Sequence, residues 1–109
     1  MSKYLRVLKQ IDKRMNAKGY KLTSVTDGEE RIISALHTKT ELYEWATQCD
    51  TATMTYTTVM DNAKKVTFYL IYGNLLEETI YDMGYNNDEA GKDADEVSDA
   101  INEFYSDRV

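Results

Sequence analysis

This sequence predicts an α+β fold: an antiparallel sheet of four or five strands, a helix at each end and one short helix in the middle. Three observations carry that expectation. Apolar residues recur every three or four positions near both termini, which is the period of an amphipathic helix. Between them the pattern switches to strict two-residue alternation, the period of a strand with one buried face. The strands follow one another through short polar turns, so neighbours run antiparallel as a meander. The element order is α-β-β-α-β-β-β-α.

Tyr4, Leu5, Leu8, Ile11 and Met15 fall on one stripe of the first helix, with Val7 on its shoulder. Ser2 is placed to cap its first amides, and Gly19 to end it in a left-handed conformation. Tyr20 to Thr26 alternates, with Tyr20, Leu22, Ser24 and Thr26 opposite Lys21, Thr23 and Val25. Asp27-Gly28 is a two-residue hairpin signal, because both residues tolerate positive φ. Glu30 to Leu36 returns as a second strand.

Thr38 and Glu41 form a capping box for a short helix reaching to about Cys49. Leu42, Trp45, Ala46 and Cys49 share one of its faces. Residues 51–60 are threonine-rich, and β-branched residues at that density favour a strand. Ala52, Met54, Tyr56 and Thr58 oppose Thr51, Thr53, Thr55 and Thr57. After a turn at Asp61-Asn62-Ala63-Lys64, Lys65 to Tyr72 is mostly apolar on both sides and reads as a central strand. Gly73-Asn74 breaks the pattern. Glu78 to Tyr85 resumes it, with Thr79, Tyr81, Met83 and Tyr85 on one side. Asn86 to Lys92 reads as a loop, and Asp93, with Glu96 three residues on, as the cap of the last helix. Val97, Ala100, Ile101, Phe104 and Tyr105 form that helix's buried stripe.

Composition narrows the function. The 109 residues make one domain of the usual size, 42% apolar and 11% aromatic, which suits a globular chain. One cysteine excludes an internal disulfide and fits a reducing compartment. The absence of an 18-residue apolar run, and charges at Lys3, Arg6 and Lys9, argue against a membrane span or a signal peptide. The expected location is the cytoplasm.

Charge is segregated along the chain. Residues 1–26 hold seven Lys/Arg against Asp12 alone, whereas residues 76–109 hold eleven Asp/Glu against Lys92 and Arg108. The overall charge of −6 opposes nonspecific nucleic-acid binding by the whole surface.

No constellation of catalytic or metal-binding type emerges. His37, the single histidine, lacks nucleophile or carboxylate partners at a recognisable spacing. Cys49 falls on a buried helical stripe, where a thiol behaves as a small hydrophobe. A calcium loop opening at Asn86 would put Gly91 at its sixth position. Ala90 and Val97 then stand where ligands are needed, so the pattern fails. Gly73, Gly84 and Gly91 are too scattered to cradle a phosphate. The expectation is a non-enzymatic protein without a cofactor.

The last helix and the loop before it carry Asp88, Asp93, Asp95, Glu96, Asp99, Glu103 and Asp107, mostly on the outer side. Such a surface suits a basic partner, although acids near a helix N-terminus also stabilise its dipole. Nine tyrosines, among them Tyr56, Tyr69, Tyr72, Tyr81 and Tyr85, exceed what a small core absorbs, so some rings should remain accessible for recognition. The candidate partner-binding set is Asp88, Asp93, Asp95, Glu96, Asp99, Glu103, Tyr81 and Tyr85.

The stretch Phe68-Tyr69-Leu70-Ile71-Tyr72-Gly73-Asn74-Leu75-Leu76-Glu77-Glu78-Thr79-Ile80-Tyr81-Asp82 resembles the strand, Gly-Asn turn and returning strand of small phage and prophage accessory proteins. That resemblance implies a factor that binds host machinery, such as an inhibitor of host defence, and assigns no functional residue. Two alternatives stand beside it. One is a small enzyme or ligand-binding domain using His37, Tyr69 and Tyr81 in a pocket between sheet and helices. The other is a structural homodimer through a tyrosine-bearing sheet face.

Overall fold

The computed structural model describes residues 3–27, 31–33, 38–47, 51–58, 63–72 and 79–106. Its elements follow the expected order: α1 (Lys3–Ala17), β1 (Tyr20–Thr26), β2 (Arg31–Ile33), α2 (Lys39–Thr47), β3 (Thr51–Thr58), β4 (Lys65–Ile71), β5 (Ile80–Tyr85) and α3 (Asp88–Ser106). All strand pairs are antiparallel, in the order β2-β1-β3-β4-β5. The fold is therefore α+β, as the alternating and helical periods require. The meander is confined to β3, β4 and β5. The β1–β2 hairpin joins it through β1, so α2 carries the chain from the edge strand β2 past β1 to β3.

That connection makes β3 the middle strand, and β4 is the expected central strand beside it, paired on both edges with β3 and β5. The threonines of β3 disguise its position because only one of its faces meets the helices. Ala52, Met54 and Tyr56 are buried against them, while Thr53, Thr55 and Thr57 line the other face. In β4, Val66, Phe68 and Leu70 are fully buried, opposite Thr67, Tyr69 and Ile71. Tyr56 and Phe68 meet edge to face, with centroids 5.9 Å apart.

Helix α1 presents Leu5, Val7, Leu8, Ile11 and Met15 to this core. It stops at Gly19, whose φ of 91° lies where a side chain is strained. At the start of α2 the Glu41 amide donates to Thr38 Oγ1 at 3.2 Å, the main contact of the expected capping box. Leu42, Tyr43 and Ala46 form the buried side of α2, and Trp45 packs against it half-buried. Ser2, Gly28, Leu36, Cys49, Gly73 and Asn74 lie outside the described residues.

Two β-bulges overturn the expected side-chain faces. In β1, Leu22 pairs with Tyr56 and Ser24 with Thr55, which leaves Thr23 as an extra residue. The slip turns Val25 inward opposite Met54, where it is fully buried, and puts Ser24 and Thr26 on the threonine face. In β5, Tyr69 pairs with Asp82 and Leu70 with Ile80, so Tyr81 is the extra residue. Tyr81 therefore does not share a face with Met83 and Tyr85. Its ring lies 6.2 Å from that of Tyr69, on the face away from the helices.

Helix α3 begins six residues earlier than expected. Asn87, not Asp93, is its cap, accepting from the Ala90 amide at 2.8 Å through its side chain. Gly91, which made this segment look like a loop, is needed for packing. A β-carbon there would lie 2.8 Å from the Tyr85 ring, so only glycine lets the ring rest on the helix.

Candidate protein-interaction surface

The acids of α3 divide into two groups with different surroundings. Asp93 points inward and is tied to three elements. It accepts from the Tyr20 hydroxyl at 2.8 Å and from Lys64 Nζ at 2.9 Å, and it lies 3.9 Å from Lys18 Nζ. Lys64 also sits 5.3 Å from the centre of the Tyr20 ring. Burial opposes ionisation of Asp93, but the hydrogen bonds from Lys64 and Tyr20 and the charges of Lys64 and Lys18 outweigh it, so the carboxyl is held below its ordinary range. Asp93 is thus a brace between α3, β1 and the start of β4. It does not belong to an outward surface.

The remaining acids spread over the outer side of the helix, with Glu96 near enough to Asp93 to share Lys18. At 100° per residue, Asp88, Asp95, Glu96, Asp99 and Glu103 fall on one stripe, interrupted by exposed Lys92 and opposite buried Ala90, Ala94, Val97 and Ile101. The stripe runs about 22 Å along the axis at 1.5 Å per residue. Glu96 is paired with Lys18, which directly follows α1. Asp88, Asp95 and Asp99 are exposed and form no ion pair among the described residues. Asp95–Asp99 and Asp99–Glu103 are like charges four residues apart, each such pair costing a helix a few tenths of a kcal/mol.

The tyrosines expected at the surface meet this stripe at the sheet edge. Tyr81 and Tyr85 are the exposed large hydrophobics, at 58% and 55%. They flank β5 from its two sides: Tyr81 lies on the threonine face, and Tyr85 rests on α3. Between β5 and α3 runs a groove of about 330 Å³ lined by Ile80, Tyr81, Asp82, Met83, Tyr85, Asp95 and Ser98. Its charged lining residues are both acids. Tyr56 is in the core instead, and Tyr72 packs on Tyr4 with centroids 5.0 Å apart.

Among the described residues no strand lies beyond β5, so its outer edge carries backbone groups unused by the sheet. The Asn86 amide donates to the Lys65 carbonyl at 3.2 Å. Antiparallel pairing alternates, so Gly84 and Asp82 also turn their backbone groups to β4, and Met83 and Tyr85 turn theirs outward. Asp82 bends back onto this edge, its carboxylate accepting from the Met83 amide at 2.8 Å.

The sequence gives no sign of a second carboxylate site, built on Asp12. Buried at 6% exposure, Asp12 accepts from Tyr56 (3.2 Å), Asn16 (2.9 Å), Lys39 (2.8 Å) and the Tyr43 hydroxyl. Burial first, and the neighbouring carboxylate second, push the Tyr43 and Tyr56 hydroxyls well above their usual range. The four donors come from α1, α2 and β3, so the carboxylate binds these elements together. A cleft of about 520 Å³ beside it is lined by Asn16, Gly19, Tyr20, Lys21, Leu22, Lys39 and Leu42.

His37 lies outside the described residues. Of the other two members of the alternative pocket, Tyr69 lies on the threonine face, and Tyr81 lies beside it while also lining the groove between β5 and α3. The described residues include no cluster of His, Cys, Asp or Glu able to hold a metal ion, and no helix long and apolar enough to cross a membrane. Comparison with protein-family models, curated proteins and solved structures returned no match to this chain.

Proposed function

We propose that this protein is a non-enzymatic binding factor, of the phage or prophage accessory type, which engages a basic surface on a host protein in the cytoplasm. One observation carries the reading. Tyr81, Tyr85 and Asp95 come together at the groove beside β5, and exposed acids of α3, Asp88 and Asp99 among them, continue from it as one stripe. Tyrosine supplies contact area at low entropic cost, and an acidic field speeds and orients the approach of a basic partner. Like charges kept four residues apart weaken the helix alone, and a cationic partner would relieve that repulsion. The threonine face favours this reading over the homodimer. Its centre is Thr53, Thr55, Thr57 and Thr67, whereas obligate dimer seams are apolar.

The test is capture from bacterial lysate by the wild-type protein and by a D95K/D99K variant, at low salt and near 1 M salt. A specific partner retained by wild type at low salt, and lost both in the variant and at high salt, is the expected result. No partner at either salt, or one indifferent to the variant, would sink the proposal.

A further inference from the structure

We infer that the free edge of β5 takes up an extended, lysine- or arginine-bearing segment of the partner as an additional strand. This rests on the acidic-surface reading and specifies how the partner is held. The outward backbone groups of Met83 and Tyr85 supply the ladder positions for such a strand. Side chains of an added strand alternate between two faces. On one they meet Tyr81 and Asp82, and on the other Tyr85, Asp95 and Ser98, the residues that line the groove.

Asp82 gives the edge its selectivity. Its carboxylate already occupies the Met83 amide, so an incoming carbonyl must displace it. A neutral strand leaves the displaced carboxylate with water as its only new partner. A lysine or arginine in the incoming strand pairs with it, and that contact offsets the lost hydrogen bond. The same residue guards against self-association. Two β5 edges paired antiparallel through Met83 set Asp82 opposite Gly84 of the second copy, so the two Asp82 carboxylates become diagonal neighbours, each also deprived of its Met83 amide.

Three eight-residue probes separate the possibilities: alternating lysine and threonine, alternating glutamate and threonine, and alternating serine and threonine. Each is titrated into the full ¹⁵N-labelled chain while amide shifts and hydrogen exchange are followed. The lysine peptide is expected to shift the Met83 and Tyr85 amides and slow their exchange, whereas the other two leave them unchanged. In D82N the preference for the lysine peptide over the serine peptide should narrow. Shifts confined to α3 around Asp95 and Asp99, with Met83 and Tyr85 unmoved, would overturn strand addition while leaving the acidic surface in place. Equal response to the serine peptide in wild type would overturn the role of Asp82. Concentration-dependent shifts at Met83 without peptide would name a second copy as the occupant and overturn the inference. A failed lysate capture bears on the parent reading instead, so the two failures are distinguishable.

Discussion

Asp12 and Asp93 differ from Asp88, Asp95 and Asp99 in everything but their chemistry. The first two are surrounded by donors from several elements, and the other three by solvent. A carboxylate that accepts from Tyr43, Tyr56, Asn16 and Lys39 holds a core together. Asp99, whose neighbours one turn away are Asp95, Glu96 and Glu103, forms no ion pair among the described residues and is free to serve an encounter. Acidity in this chain thus has two uses, and position relative to the core decides which. Removing acids from each group should produce opposite results.

The largest effect is expected at Asp12. D12A strands the hydroxyls of Tyr43 and Tyr56, each unsatisfied buried group costing about 1–3 kcal/mol, so a loss of about 3–5 kcal/mol follows. Lys39 is half exposed and adds little. D12N, which keeps an acceptor oxygen, should cost less than D12A. Urea denaturation of both variants checks this; a D12A midpoint equal to that of wild type would remove the brace from the account.

Alkaline titration probes the same contacts from the tyrosine side. Tyr20, Tyr43 and Tyr56 all have hydroxyls pushed up by burial and by the acid each one meets. Their folded pKa values lie above the unfolded value near 10, so this stability is complete below pH 10 and is lost as pH rises further. Ultraviolet titration should show Tyr20, Tyr43 and Tyr56 ionising only as the chain unfolds. A single smooth transition of all nine tyrosines, with the fold intact, contradicts the burial of these groups.

Asp93 comes next, with a loss of about 1–2 kcal/mol for D93N, since its charged hydrogen bonds are partly solvated. Its folded pKa is depressed, so its contribution is present above the ordinary value of 3.8 and is lost as pH falls through the lower folded value. The gap between wild type and D93N should therefore be constant near neutrality and close in acid. A gap that persists well below pH 3 would mean the carboxylate charge is not what stabilises.

These two groups of acids were not equally legible in the sequence. The outer stripe follows from helical period alone, because Asp95, Asp99 and Glu103 oppose Val97 and Ile101 whatever the helix packs on. Asp12 was hidden because its partners lie in α2 and β3, and no local pattern announces contacts between residues 12, 43 and 56. Asp93 was misread as a cap because Gly91 suggested a loop. The close approach of Tyr85, a residue of another element, is what requires that glycine. The strand faces were legible as far as Leu22 and from Asp82 onward. The bulges at Thr23 and Tyr81 leave the two-residue pattern of the sequence intact while the chain turns over, which is why Val25 and Tyr81 were assigned to the wrong faces.

The smallest expected effect on stability discriminates most sharply. The basic and acidic ends do meet in space, since α1 and α3 pack side by side and Lys18 pairs with Asp93 and Glu96. If that attraction extends over the whole outer stripe, D99N/E103Q should lower stability at low salt and hardly change it near 1 M, where the screening length is about 3 Å. If the stripe is poised for a partner, the double change relieves like-charge repulsion within α3. Stability then stays flat or rises by a few tenths of a kcal/mol, and partner capture weakens. The second outcome is expected, because Lys18 is already engaged and Asp99 has no ion-pair partner among the described residues. Thermal melts of wild type and the double variant at both salts decide it. A salt-dependent loss of stability would return the outer acids to the same role as Asp93 and dissolve the distinction between the two groups.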